Sequence, residues 1–308
     1  TALIHANRLL TDGFRNNSGL EQNLFNLKIK HKLNPSSKIQ FQMNYTQSPR
    51  AEDAGGITLE DSEKDWSQAR QRNLDYDTYE SIEHFKIGLN WSKNWIDTID
   101  LNTYGFYSFR DFYGKLPFEN GGIIDLTRNY FGLGSRLNYK VGKNNLQVAA
   151  EFLNQSDQRD RYLNILGSQG SISFSQKEKF QNLSFSILDE LKLKELFFRL
   201  SLRYDDMRLG TDGFSQDQLY QVINPSLGVS LELTPYQHLY ANFSTSFETP
   251  ALSELSANPS GAEGFNLELS PSEAISYELG WKAEGQKFKI ESNLFLIESS
   301  NEILPYEL

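Results

Sequence analysis

YELGWKAEGQKFKIESNLFLI, residues 277–297, holds two alternating runs joined by a tight polar turn. Tyr277, Leu279 and Trp281 point one way; Glu278, Gly280 and Lys282 point the other. After Glu284-Gly285-Gln286 the alternation resumes, with Phe288, Ile290, Leu294 and Leu296 opposed to Lys287, Lys289, Glu291 and Asn293. Successive strand side chains fall on opposite faces, so this stretch is a β-hairpin with one apolar and one charged face. The architecture turns on what covers the apolar face.

The same period recurs along the chain. Phe25, Leu27, Ile29 and Leu33 oppose Asn26, Lys28, Lys30 and Lys32, and Phe85, Ile87, Leu89 and Trp91 oppose Lys86, Gly88, Asn90 and Ser92. Leu196, Phe198, Leu200, Leu202 and Tyr204 face away from Arg199, Ser201 and Arg203. About 13 such strands can be counted, and no convincing amphipathic helix interrupts them.

The connections alternate in length. Short ones are expected at NPSSK (from Asn34), SKNW (Ser92), GKNN (Gly142), KLKE (Lys192), TPYQ (Thr234) and EGQK (Glu284). Between them lie longer polar stretches, roughly Thr11 to Gly19, Gln47 to Tyr79, Asp111 to Arg128, Ser156 to Gln176, Leu209 to Tyr220 and Thr249 to Ser270. An up-and-down antiparallel sheet would then carry every tight turn at one end and every long loop at the other. Outer-membrane barrels have that asymmetry, with short periplasmic turns and long extracellular loops. Many strands also reach the ~9–11 residues that a tilted strand needs to cross hydrocarbon. A soluble sandwich would need Greek-key crossings, and a propeller a repeat of ~40–50 residues; neither is visible. The apolar faces are therefore expected to meet lipid.

Composition agrees without deciding. Mean hydropathy is −0.54, but spanning strands alternate and escape window averages. The formal net charge of −10 and the absence of a basic stripe argue against nucleic acid. With no cysteine, disulfides and thiolate chemistry are excluded. His5, His31, His84 and His238 are scattered, Asp205-Asp206 lacks calcium-loop spacing, and GSQGSIS from Gly167 fits no phosphate-binding pattern. No catalytic set and no resident metal or cofactor is expected.

STSFETPALSEL from Ser244, NLELSPSEAISYELGWK from Asn266 and NLFLIESSNEIL from Asn293 resemble the TonB-dependent outer-membrane receptors. Phe247, Pro250, Glu254 and Leu255 match a phrase of the form F-x-x-P-x-x-x-E-L. Asn266, Leu269, Pro271, Tyr277, Glu278, Gly280 and Lys282 match the next segment, and Asn301 and Ile303 the third. The usual Pro-Glu is here Pro271-Ser272-Glu273, a one-residue slip. NRLLTDGFRNNS from Asn7 and AGGITLEDSEKDWSQARQRN from Ala54 are similar to the siderophore-receptor branch, especially the ferric-citrate type.

That resemblance implies an all-β, antiparallel up-and-down transmembrane β-barrel of 22 strands in the bacterial outer membrane. Residues 1–308 would be a partial barrel domain, with the N-terminal plug and the last strands lying outside this chain. It implies energised import of a ferric siderophore or other Fe(III) chelate, with TonB acting through that N-terminal region and lipid and lipopolysaccharide around the wall. A passive porin, or an importer of cobalamin, heme, nickel or carbohydrate, stays open; an outer-membrane phospholipase would need a Ser/His pair that is not evident.

The candidate ligand residues follow from chelate chemistry. Carboxylate-armed chelates are anionic, and guanidinium groups bind carboxylates in bidentate fashion. Arg15, Arg50, Arg70, Arg72, Arg110, Arg159 and Arg161 lie in or beside the long connections, and Phe112, Tyr113 and Tyr162 could cover an apolar chelator. The same arginines could instead pair with Glu52, Asp53, Asp111 or Asp160, or meet lipopolysaccharide phosphates.

Overall fold

Every strand pairs antiparallel with its sequence neighbours, in the order β1 to β13. The computed structural model describes residues 1–212, 217–256 and 265–304; the tips of two expected loops and residues 305–308 lie outside them. The strands are β1 (Ala2–Thr11), β2 (Leu20–Asn34), β3 (Ser37–Glu52), β4 (Tyr79–Ile96), β5 (Ile99–Lys115), β6 (Ile123–Val141) and β7 (Asn144–Ile165). They continue with β8 (Ser168–Leu193), β9 (Leu196–Thr211), β10 (Gln218–Thr234), β11 (Gln237–Glu248), β12 (Ser272–Glu284) and β13 (Lys289–Ser300). The expected up-and-down sheet and strand count are both present.

Three boundaries differ from expectation. The turn expected at SKNW lies further on, at residues 97–98, because β4 keeps its alternation through Trp95 and Ile96. The stretch Ser156 to Gln176 is not a loop: β7 and β8 run for 22 and 26 residues to a two-residue turn. At that turn Leu166 has φ 46° and Gly167 φ 87°, the paired positive values of a hairpin turn whose twist matches its strands. Beyond the bilayer both faces of a strand meet water, so alternation vanishes from the sequence while the ladder continues. Likewise Asp111 to Lys115 and Ile123 to Arg128 are strand. The third difference is helical. Among the described residues three short helices, α1 (Leu59–Lys64), α2 (Gln71–Asp75) and α3 (Leu252–Ser256), sit in the long connections. Thr58 caps α1, its hydroxyl accepting from Asp61 N at 3.2 Å.

Contacts divide the chain into two compact units. The first comprises Thr1–Trp91, Tyr104–Leu133 and Leu153–Lys179. On its apolar face Phe25, Leu27 and Ile29 of β2 stand opposite Tyr45, Met43 and Phe41 of β3. The apolar run ends, toward the long connections, in polar pairs on the same face. Arg8 meets Glu21 at 3.1 Å, Tyr45 donates to Glu83 Oε1 at 3.1 Å, and Tyr107 donates to Asn129 Oδ1 at 2.6 Å. From Phe25 to Leu33 the band fits the ~9–11 residues of a spanning strand. Residues beyond those pairs lie outside it.

The second unit comprises Ser92–Thr103, Gly134–Phe152 and Phe180–Leu308. Along β8 the burial is inverted relative to a water-soluble sheet: Leu183, Phe185 and Ile187 are exposed, while Asn182 and Ser184 are buried. On β12 and β13, Leu279 faces Leu294 with both side chains exposed. Soluble proteins rarely expose apolar patches beyond a few hundred Å², so the solvent for this face is lipid. The TonB-receptor phrase has a physical reading here. Phe247 and Leu269 pack on a small buried cluster of Met207, Leu209, Tyr220, Leu252, Leu255 and Phe265, which roots the loop carrying α3 on β9 and β10.

Candidate functional site

The polar face of the first unit holds a cavity of about 440 Å³ over β3 to β7. Gln42 and Asn44 come from β3, His84 and Lys86 from β4, Ser108 and Arg110 from β5, Arg128 and Tyr130 from β6 and Gln155 from β7. Period two brings these side chains to one face, and Gly132 deepens it: a Cβ there would stand 2.4 Å from the Phe106 ring. Phe106 packs edge-on against Tyr130 at 5.1 Å, giving the cavity an aromatic wall.

Its electrostatics are cationic. Lys86, Arg110 and Arg128 all lie within Coulombic reach of His84. Arg128 is neutralised by a bidentate pair with Asp157, at 2.9 and 2.6 Å, whose side chain is fully buried. His84 Nε2 bonds Ser108 at 3.0 Å. Among the described residues Lys86 and Arg110 have no carboxylate partner, and Arg110 Nε is buried without a hydrogen-bond acceptor. Such an orphaned donor costs roughly 1–3 kcal/mol unless something accepts from it. Among the described residues no carboxylate lines the cavity. The chemistry on offer is a donor-rich pocket for an anion.

All ten residues singled out from sequence fall in this first unit, but they do different things. Arg15 donates to Gln68 O and Ala54 O, joining the first two long connections. Arg50 binds Glu52 at 3.0 Å and Asp77 at 2.7 Å and stacks on Tyr79 at 4.2 Å. Arg159 grips the fully buried Glu178 through two hydrogen bonds of 2.9 and 3.0 Å. These three have their cations committed to the protein itself. Arg70 and Arg72 are exposed at α2, with Arg72 5.8 Å from the Tyr76 ring centre. Arg110 alone of the seven lines the cavity, its guanidinium 5.4 Å from the Phe112 ring.

Tyr113, Arg161 and Tyr162 occupy the strand extensions beyond the band, in acidic company. Burial, then Asp111 and Asp160, raises the Asp125 carboxyl above the ordinary range. Burial, then Tyr79, Asp125 and Asp77, raises the Tyr113 phenol. Burial and the neighbouring Arg159 lower the Arg161 guanidinium from its very high usual value. An anion is better accommodated at Arg110 than beside these acids. Sequence inspection missed Lys86, His84, Arg128 and Gln155; they read as ordinary polar positions of alternating strands, and only the pairing of β3 to β7 assembles them.

The second unit adds a satisfied cluster on its polar face. Glu278 accepts from Tyr240 at 2.9 Å, Asn242 at 3.1 Å and Asn293 at 3.0 Å, and Lys282 lies over the Tyr240 ring at 5.3 Å. This is the physical content of the Tyr-Glu-x-Gly-x-Lys phrase. Among the described residues no group of three His, Cys, Asp or Glu could hold a metal ion.

Comparisons with known proteins agree with this geometry. The ferric-pyoverdine 358 receptor of Pseudomonas putida is 27% identical over 152 residues, which is 46% of this chain and 18% of that protein. The ferric citrate transporter FecA, in its unliganded form, superposes with a TM-score of 0.74 at 21% identity, covering 92% of this chain and 44% of FecA. The ferric yersiniabactin uptake receptor FyuA from Yersinia pestis gives a TM-score of 0.74 at 11% identity, over 97% of this chain and 49% of FyuA. At such identities the likeness speaks for the fold, and the chain spans less than half the length of each. The family described as TonB dependent receptor-like, beta-barrel, matches residues 4–308. The chain belongs to the TonB-dependent receptors of the bacterial outer membrane and forms wall of their β-barrel.

Proposed function

We propose that this wall serves the energised import of an anionic ferric chelate, and that the cavity around Arg110 and Lys86 is a place where the chelate's carboxylates bind. One observation carries the reading: in a chain of net charge −10, Arg110 and Lys86 point cations with no carboxylate partner among the described residues into a cavity that none of those residues lines with an acid. The named ligands of FecA, FyuA and the pyoverdine receptor are all iron chelates, which supports iron as cargo. Iron is substrate here, not a resident cofactor. The TonB complex would supply energy through a plug domain, and lipid and lipopolysaccharide would surround the apolar band. The chain would act as a receptor and transporter rather than an enzyme.

Binding and uptake of iron(III) citrate, set against a neutral trihydroxamate iron chelate, test the proposal in the intact protein. Arg110→Gln and Lys86→Gln should each weaken citrate-chelate binding by about tenfold, the loss of one charge-assisted hydrogen bond. A neutral chelate bound equally well, with both variants silent, would overturn it. A dissipated proton gradient should abolish uptake but leave binding intact; uptake that survives would point to passive diffusion.

A further inference from the structure

Phe14 and Trp66 are 67% and 70% exposed, yet their rings pack on each other at 5.5 Å with a 33° tilt. Water-facing aromatics are usually left loose; these two are held from both sides. Phe14 follows Gly13, whose N–H donates to Thr11 Oγ1 at 3.1 Å, and precedes Arg15, whose N–H donates to Ser18 Oγ at 3.1 Å. Trp66 lies between Asp65 and Ser67, and Asp65 Oδ1 accepts from Ser67 N at 2.9 Å and Ser67 Oγ at 2.6 Å. The two segments are then stitched together, Asn16 N donating to Ser67 O at 2.8 Å and Arg15 to Gln68 O at 2.9 Å. Ordering the rings in advance serves no core, because neither ring has one.

The surroundings are acidic and exposed. α1 and its flanks place Glu60, Asp61, Glu63 and Asp65 against one cation, Lys64; beside Phe14 stand Asp12 and Arg15, the latter with its guanidinium spent on Gln68 O and Ala54 O. α1 has no buried residue, and neither ring lines the Arg110 cavity. Aromatic faces attract ammonium and guanidinium groups, and rigid aromatics bind with little further loss of side-chain freedom. A small cation on so exposed a surface would stay hydrated, whereas an extended partner can cover both rings and reach the acids.

We infer that the Phe14–Trp66 pair and the acidic α1 beside it form an external docking surface for a basic polypeptide segment of a partner protein, distinct from the anion-binding cavity. The surface uses complementary charge for encounter and the two rings as anchors.

The test uses the intact protein in lipid nanodiscs and a fluorescent nona-arginine peptide, with an uncharged citrulline peptide of equal length and free arginine as comparison arms. The arginine peptide should bind, and Trp66→Ala and Phe14→Ala should each weaken it by about tenfold or more. Trp66→Phe should retain most binding, and Glu63→Gln should weaken it less. Citrate-chelate binding at the Arg110 cavity should not change in any of these variants, which separates failure here from failure of the import reading and reports an intact fold. Binding unchanged in Trp66→Ala and Phe14→Ala, or an equal response to the citrulline peptide, would overturn the inference. Saturation by free arginine as effective as by the peptide would assign the surface to a small cation instead.

Discussion

Tyr240 lies across Gly280: a Cβ added to the glycine would stand 2.1 Å from Tyr240 Cζ, and the Tyr240 hydroxyl donates to Glu278 at 2.9 Å. The two residues are opposite partners of β11 and β12, so the ring covers a bare stretch of its neighbour's backbone. Gly280→Ala must therefore displace the ring and break its bond to Glu278. Tyr240→Phe should keep the packing and lose only the hydrogen bond to Glu278, a smaller destabilisation than that of Gly280→Ala. Urea unfolding in lipid should find the two substitutions non-additive, because either one removes the same bond.

Lipid and water divide β8 between alternate residues. Phe185→Arg places a charge on the apolar face and should destabilise the folded wall by about 2–4 kcal/mol near the bilayer midplane. Ser186→Arg enters the polar face, where Ser186 lines a wet cavity near Glu278, and should be close to neutral. Folding yields into liposomes at graded urea compare the two. Equal costs would contradict the assignment of faces. Ile290, attractive for this test in the sequence, lies only one residue past the start of β13 and close to its turn. It is a weaker probe.

Legibility followed the solvent. Where one face meets lipid and the other water, Phe85 to Trp91 or Leu196 to Tyr204 reads directly as strand, and the tight turns follow except the one after β4, which lies beyond SKNW. Above the band, Asp157 and Arg159 on one face of β7 and Gln158 and Asp160 on the other are all polar, so nothing in their order announces the ladder. α1 did carry a signal, Thr58 with Asp61 three residues on, but a long polar segment hid it. For the site, residue type was readable and partnership was not. Arg159 and Arg110 look alike in sequence; strand register gives the first Glu178 and leaves the second without an acid.

Arg159 and Glu178 make the contrast measurable. Glu178 has a fully buried side chain, held by Arg159 at 2.9 and 3.0 Å. Arg159→Ala removes the bidentate cation from a buried carboxylate that Gln176 Nε2 still reaches at 3.3 Å, and should cost about 3 kcal/mol. Replacing both with apolar residues of similar volume, Arg159→Met with Glu178→Leu, should recover most of that loss. Thermal unfolding in detergent reads both. If Arg159 instead serves the ligand, the double variant will regain stability but not chelate binding.

Asp77 joins three outer segments: Arg50 at 2.7 Å from β3, Lys115 at 2.8 Å from β5, and, through Lys115, the carbonyl of Gly167 at the β7–β8 turn, 2.7 Å away. Asn164 strengthens the same junction by donating to Tyr76 O and Leu116 O. Burial alone would raise the Asp77 carboxyl, but the hydrogen bonds and charges of Arg50 and Lys115 outweigh it and hold it below the usual aspartate range. A carboxyl whose folded pKa is depressed contributes stability above its unfolded value, near about 3.9, and loses it as pH falls through the folded value. The outer connections should thus keep uniform hydrogen-exchange protection from neutral pH down to about pH 4 and loosen below it. Asp77→Asn should loosen residues 53–78 at every pH and flatten that acid limb. Half-exposed Asp77 limits each pair to about 1 kcal/mol or less, so the expected effect is a local rise in exchange, with the strands of the bilayer band unchanged.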